Sequence, residues 1–229
     1  MARSYIIRNK DTLRKIAKNF YDDPELFEKL ARYNGILNPD FIRVGQTIEI
    51  PSRRELEGDV VVTPAPSGLT PPNGLDQIKA TFGDILSYIN NDGNLDPRWE
   101  SDQLARAALP FGIPLSWDPE KSVTKLYCHK KLIAVFPAVF AEIEKQGLKD
   151  QIRTYGGCFN FRSKRTSGKL STHSWGIAID LNPDTNPQGK PGDMHTGIVE
   201  VFRQFGFTWG GDWSGKSKDP MHFQFCSGY

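Results

Sequence analysis

Apolar residues recur at helical spacing close to the start of the chain. Leu13, Ile16, Ala17 and Phe20 fall on one face of a predicted helix over 12–20, and Asp11 stands before it as a good N-cap. Pro24 opens a second predicted helix with Leu26, Phe27, Leu30 and Ala31 as its apolar stripe, closed by Asn34-Gly35. Tyr5–Arg8 before this pair and Val44–Pro51 after it read as short strands, with Asn38-Pro39-Asp40 as an intervening turn. The predicted order over residues 4–51 is strand, helix, helix, strand.

Periodicity then lapses. Residues 52–73 hold a charged stretch and the breaker-rich runs Thr63–Gly68 and Pro71–Gly74, which predict an extended, semi-rigid linker. Pattern returns over 74–229, a length sufficient for a second core. Leu75–Ile89 has helical spacing. Leu132 through Ile143 reads as a buried helix ended by Gly147, with Pro137 either kinking it or marking a late start. Gln151–Tyr155, Ile177–Leu181 and Met221–Phe225 read as strands. Ile198, Val201, Phe202 and Phe205 line one face of a helix closed by Gly206. Helices and short strands mix without βαβ regularity, so the predicted class is α+β with a small antiparallel sheet.

Composition narrows the function. The 229 residues suit one large domain or two unequal ones, and 38% hydrophobic with 24% charged residues is ordinary for a globular chain. A net charge of +2 argues against a polyanionic partner, so no nucleic-acid role is expected. No apolar run is long enough to span a bilayer, so no membrane partner is expected. The first residues show no secretory signal. Cys128, Cys158 and Cys226 form no CxxC pair; three buried reduced thiols are expected, with one disulfide plus a free thiol as the alternative.

Three residues carry candidate metal chemistry. His173 and Asp180 lie in Ser171-Thr172-His173-Ser174-Trp175-Gly176-Ile177-Ala178-Ile179-Asp180, and His222 lies in Asp219-Pro220-Met221-His222-Phe223. Two imidazoles and a carboxylate leave a fourth position open, the form of a catalytic rather than a structural zinc site. Strand parity supports the set. Asp180 shares a face with small Ala178, and His222 shares one with Gln224, while Ile177, Ile179, Met221, Phe223 and Phe225 point to the other side. Asp219 is placed either to exchange a proton with a water at the metal or to cap its Asp-Pro turn. His129 and His195 fall outside this pattern and read as surface or satisfied core histidines rather than ligands.

Residues 4–51 resemble a LysM domain through Asp11-Thr12-Leu13, Ile16-Ala17, Leu30-Ala31, Asn34-Gly35-Ile36, Asn38-Pro39 and Val44-Gly45-Gln46 leading into Ile48–Pro51. Lys10 stands where that family commonly has Gly. The resemblance implies a βααβ unit that binds N-acetylglucosamine-containing glycans, usually peptidoglycan. By carry-over, the sugar lies between Asp11, Thr12 and Leu13 on one loop and Asn38, Pro39, Asp40 and Ile42 on another. The Tyr21–Pro24 insertion also resembles LysM units of phage tail proteins, where assembly is the alternative role.

The second unit resembles the zinc D-Ala-D-Ala carboxypeptidases and L-alanyl-D-glutamate endopeptidases, including phage endolysins. The matching motifs are Ser171-x-His173-x-x-Gly176-x-Ala178-x-Asp180, Trp209-Gly210-Gly211-Asp212-Trp213 and Asp219-x-x-His222-Phe223, within about 125–229. The resemblance implies one zinc ion on His173, Asp180 and His222, Asp219 as acid/base, and an oxyanion-stabilising arginine, best matched by Arg162 ahead of Arg153 and Arg165. Ser171 either caps the following turn or orients His173, and support of His173 is the favoured expectation. Trp209 and Trp213 are core or pocket walls, and Asp212 either bonds a ligand or fixes the Gly-Gly turn.

The expected function is a monomeric peptidoglycan hydrolase: LysM holds the glycan strand while a zinc peptidase cuts stem peptides. The bond is either L-Ala-D-Glu or a terminal D-Ala. Action at the cell wall or periplasm is expected, reached by lysis or a non-standard export route. The rivals are a zinc-bound, catalytically silent binding module and a phage tail component.

Overall fold

The computed structural model of this chain describes residues 3–34, 36, 39, 42–51, 53–56, 68–164 and 167–229, which divide between two units, 1–61 and 62–229. In the first, strand β1 (Arg3–Ile6) pairs antiparallel with β2 (Thr47–Ile50), Tyr5 lying opposite Ile48. Between them run helix α1 (Leu13–Tyr21), a 3-10 turn at Pro24–Leu26 and helix α2 (Phe27–Tyr33). Leu13, Ile16, Ala17, Leu26, Leu30, Ala31, Ile48 and Ile50 are buried together.

Local chemistry moves several boundaries. Thr12, not Asp11, caps α1: its side chain accepts the Lys15 N–H. The Asp11 carboxylate instead accepts from the Tyr5 hydroxyl at 2.9 Å and from the Arg8 N–H at 2.7 Å, tying the loop to β1. Phe20 leaves the apolar stripe, at 40% exposure, and Tyr21 takes its place. Both positions satisfy the helical period, and Tyr21 also delivers its hydroxyl to the Pro51 carbonyl at 3.0 Å. Lys10 has φ 68°, the left-handed region where a Cβ is strained and glycine is not.

The expected linker is partly structured. Arg53–Leu56 form a helical turn, α3, whose Leu56 is buried with the first core. Residues 57–67 lie outside the described residues. Pro72 accepts the Ser227 N–H at 2.9 Å, so the last linker residues belong to the second unit.

That unit contains helix α4 (Gly74–Phe82), helix α5 (Arg98–Gln103) and a hairpin of two twelve-residue strands, β3 (Leu104–Leu115) and β4 (Asp118–His129). The hairpin corrects the expectation of only a small sheet. Pro110, Gly112 and Pro114 lie within β3, and the fold absorbs them in register shifts between Ala108 and Ile113 and at Pro114. Helix α6 (Val135–Lys145) carries Pro137 third in the helix, where the missing N–H is not needed, so the late start is the right reading. A 3-10 turn occupies Lys149–Gln151, and the strand expected there begins later, as β5 (Tyr155–Gly157).

Strand β6 (Ala178–Leu181), helix α7 (Thr196–Gln204), β7 (Thr208–Trp209) and β8 (His222–Gln224) follow. The sheet order is β4-β3-β5-β6-β8-β7, with β3 and β5 parallel and the other pairs antiparallel. The α+β class is borne out, with a larger and mixed sheet. Phe223 of β8 stacks on Phe202 of α7 with centroids 4.2 Å apart, and Phe202 meets Phe140 of α6. Burying a Phe contributes roughly 2–3 kcal/mol, which pins the apolar face of β8 to the helices and turns its polar face the other way. Cys128, Cys158 and Cys226 are free and buried. Among the described residues, no helix is long and apolar enough to cross a membrane.

Candidate metal centre

Strands β6 and β8 bring two of the three candidate ligands together by register. Asp180 lies directly opposite His222, and Ala178 lies opposite Gln224. Side chains of facing residues on one side of a sheet sit about 5 Å apart at Cβ, so Asp180 and His222 meet without further adjustment. His173 comes from a 3-10 turn over Thr172–Trp175 that leads into β6. Ser171 caps that turn, its hydroxyl accepting the His173 N–H at 3.3 Å. Gly176 closes it at φ 67°, and a Cβ there would stand 2.8 Å from the backbone N of His129. The glycine of the His-x-x-Gly motif is therefore a packing requirement that lets the turn lie against β4.

The donor atoms converge. His222 Nδ1 lies 2.9 Å from Asp180 Oδ1, His173 Nε2 lies 3.2 Å from the same oxygen, and the two ring nitrogens are 3.1 Å apart. A tetrahedral zinc ion with bonds of roughly 2.0–2.1 Å separates its ligand atoms by about 3.3 Å, close to this triangle. Proton placement makes the fit sharper. His173 Nδ1 is 2.6 Å from the Cys158 carbonyl, which can only accept, so the neutral ring carries its proton there and aims a bare Nε2 inward. His222 Nε2 faces Gln224 Oε1 at 3.1 Å, which leaves Nδ1 bare toward the centre. Three lone pairs then face one point, and a cation is what such a donor set accommodates. His173 and His222 are buried and Asp180 is partly buried.

Asp219 stands at the edge of this cluster. Its backbone is held by N–H donation to the Gly210 carbonyl at 2.8 Å and by acceptance from the His222 N–H at 3.0 Å. A Cβ on Gly210 would lie 2.5 Å from the Asp219 carbonyl oxygen and 3.2 Å from the His222 Cβ, so the Trp-Gly-Gly motif exists to let these two residues approach. Asp219 Oδ1 is buried without a hydrogen-bond partner among the described residues. Burial raises its pKa to about 6; His222, His173 and Arg162 pull it down and Asp180 pushes it up. A carboxyl with an unsatisfied oxygen that titrates near neutrality suits proton exchange with a bound molecule. Among the described residues Oδ1 makes no capping hydrogen bond, which counts against the cap alternative.

Arg162 is half-buried in the loop after β5, and its charge reaches Asp219. Its backbone is fixed by N–H donation to Ser174 Oγ and acceptance from the Ser171 N–H, while its guanidinium has no hydrogen-bond partner among the described residues. Trp213 lies beside His222, ring centroids 5.5 Å apart, and forms a wall. Trp209 donates its indole N–H to the Pro220 carbonyl at 2.7 Å and stacks on Phe223, buttressing the turn that carries Asp219. Asp212 is not part of the centre: it is ion-paired with Arg203 of α7 at 2.6 Å. Arg153 pairs with Asp193 at 2.8 Å, and Arg165 lies outside the described residues. His129 donates from Nε2 to the Phe82 carbonyl, and His195 caps α7, both structural as expected. Sequence reasoning missed Thr172 and the Cys158 carbonyl, whose roles depend on contacts no periodicity encodes.

The expected glycan residues divide. Asp11 and Thr12 are engaged in the loop and cap bonds described above. The Leu13 side chain is fully buried in the first core and cannot line a surface site. Pro39 and Ile42 are half-buried, and Asn38 and Asp40 lie outside the described residues.

Comparison with known proteins agrees with this arrangement. Residues 5–51 match the family model of the LysM domain. Residues 164–225 match the family model described as D-alanyl-D-alanine carboxypeptidase. The second match contains His173, Asp180, Asp219 and His222 and ends before it reaches back to Arg162. The architecture is thus an N-terminal LysM domain followed by a peptidase-family segment. An uncharacterized protein of Deinococcus radiodurans is 45% identical over 47 residues, which make up 20% of this chain and 19% of that protein. The chain therefore spans about a fifth of the length of this curated relative. No solved structure matches the chain.

Proposed function

We propose that this chain is a zinc-dependent peptidase that hydrolyses stem peptides of peptidoglycan, with the LysM unit holding the glycan strand. The observation that carries the reading is the convergence of three bare donor atoms, His173 Nε2, Asp180 Oδ1 and His222 Nδ1, beside the unpartnered Asp219 Oδ1. Those three residues would hold the zinc, which supplies a Lewis acid for the scissile carbonyl and lowers the pKa of a water. Asp219 accepts the proton of the attacking water and returns it to the leaving amine. The free guanidinium of Arg162 offsets the charge that develops on the carbonyl oxygen. Trp213 walls the ligand side and limits water. The site thus acts at the bacterial cell wall, and the family description favours release of a terminal D-Ala over cleavage of L-Ala-D-Glu.

Mass spectrometry of purified peptidoglycan after digestion by zinc-loaded protein tests the reading. A new C-terminus after removal of D-Ala, or a new D-Glu N-terminus, distinguishes the two bonds. Digestion that persists undiminished in excess chelator refutes the metal role, and the absence of any new terminus refutes the activity.

A further inference from the structure

We propose that Gln224 is a positioning residue that selects the metal-binding tautomer of His222, an inference that rests on the zinc reading above. Two side chains reach His222 Nε2: Gln224 Oε1 at 3.1 Å and Thr172 Oγ1 at 3.3 Å. Thr172 Oγ1 and Gln224 Oε1 are themselves 3.1 Å apart, so the three atoms form a closed triangle. Two proton arrangements of the neutral ring fit its outline.

In the first, the Thr172 hydroxyl donates to His222 Nε2. The ring proton then sits on Nδ1 and points at Asp180 Oδ1, 2.9 Å away. The cluster closes as an ordinary His-Asp hydrogen bond and His222 offers the centre no lone pair. In the second, Gln224 Oε1 accepts from Nε2–H, and Nδ1 is left bare.

The orientation of the Gln224 amide decides between them. Its Nε2 faces the Cys226 carbonyl at 3.4 Å, and a carbonyl can only accept. The amide nitrogen is therefore the donor on that side, and Oε1 is turned toward Thr172 and His222. A carbonyl-type oxygen has two lone pairs, so it accepts from both Nε2–H and the Thr172 hydroxyl. The single hydroxyl proton of Thr172 is thereby committed to Gln224 and is not offered to His222. Gln224 and Thr172 are 1% and 0% exposed, so no bulk water competes for these bonds. Position in the sheet makes this arrangement available. Gln224 is two residues along β8 from His222 and shares its face, while Ala178, opposite Gln224, is small enough to leave it room.

The test uses the metal-free full chain with 15N-labelled histidine, at a pH high enough that the spectrum shows the His222 ring to be neutral. Long-range 1H–15N correlations report which ring nitrogen of His222 carries the proton, and competition with a chromophoric chelator reports zinc affinity. The expected wild-type state is Nε2–H. Gln224→Met fills the same volume without an acceptor; it is expected to move the proton to Nδ1 and weaken zinc binding about 10–100-fold. Gln224→Glu restores the acceptor and is expected to restore both the tautomer and the affinity. Thr172→Val removes the competing hydroxyl and is expected to keep Nε2–H. Should Gln224→Met fail to fold, the wild-type and Thr172→Val spectra still decide the matter. An Nδ1–H tautomer in a wild type that binds zinc overturns the positioning role alone. An Nε2–H tautomer in a wild type that takes up no zinc overturns the metal reading beneath it.

Discussion

Replacing Asp219 with Asn is expected to make the metal-free protein more stable and the zinc-loaded protein almost inactive. The carboxyl titrates near pH 6 in the fold against 3.8 ordinarily, chiefly because burial disfavours its charged form. The folded state therefore holds this proton more tightly than the unfolded chain. The resulting stability is fully present below pH ~4 and is lost as pH rises through about 6. At pH 7 the ionised group costs roughly 2 pKa units, about 3 kcal/mol, and partial solvent access reduces that to about 1–2 kcal/mol. Asn keeps the shape and removes the charge. In a unit of this size the gain corresponds to about 2–8 °C in melting temperature. Calorimetry of the metal-free wild type and Asp219→Asn at pH 7 and pH 4 measures it. The variant is expected to melt higher at pH 7, and the difference is expected to close at pH 4, where wild-type Asp219 is protonated. Peptidase activity is expected to fall by roughly 10²–10⁴ with zinc content unchanged. A variant that melts no higher than wild type at pH 7 would refute the burial argument, and full activity would refute the proton-transfer role.

Other expectations follow from the same geometry. Gly210→Ala puts a Cβ 2.5 Å from the Asp219 carbonyl oxygen and should cost about 1–3 kcal/mol in thermal unfolding while reducing activity, since Asp219 and His222 must shift together. Lys10→Gly relieves the left-handed backbone of the first loop and should stabilise the LysM unit by about 0.5–1 kcal/mol in urea titration, net of the added unfolded-state freedom. Burial lowers the pKa of His129 to about 4, so its contribution to stability is present above pH ~6.5 and is lost as pH falls toward 4, up to about 3 kcal/mol. A His129→Gln variant should show a correspondingly flatter acid limb in denaturation midpoints, and an unchanged slope would count against it. Adding zinc to 100 times its Kd should raise the stability of the metal-free protein by about 2.7 kcal/mol, and chelator should reverse the rise.

Much of this protein is determined by the sequence alone, and the physical reason is locality. Leu13, Ile16 and Ala17 lie within one turn of each other, and helical spacing places them on one face whatever surrounds them. Strand parity is equally local, which is why His222 and Gln224 could be put on the polar face of β8 and Phe223 on the apolar one. Two of the motif blocks carried the candidate ligand set because each block is a short segment with fixed internal geometry. Local pattern could not choose between Phe20 and Tyr21, because both satisfy the period and only the Pro51 carbonyl favours Tyr21. Nor did it reveal the β3–β4 hairpin, whose prolines and glycine interrupt the strand pattern and are absorbed only by a partner strand in shifted register. Asp212 looked like a neighbour of the ligands in sequence, yet Arg203 of α7 draws it away. Only the tertiary structure decided which lone pairs face the centre. The Cys158 carbonyl sets the proton of His173, Gln224 and Thr172 set that of His222, and the approach of Gly210 to Asp219 leaves one carboxylate oxygen buried without a partner. The Cys158 carbonyl and the Thr172 hydroxyl stand far along the chain from the rings they meet, brought within hydrogen-bond reach by packing, and no spacing rule extends that far.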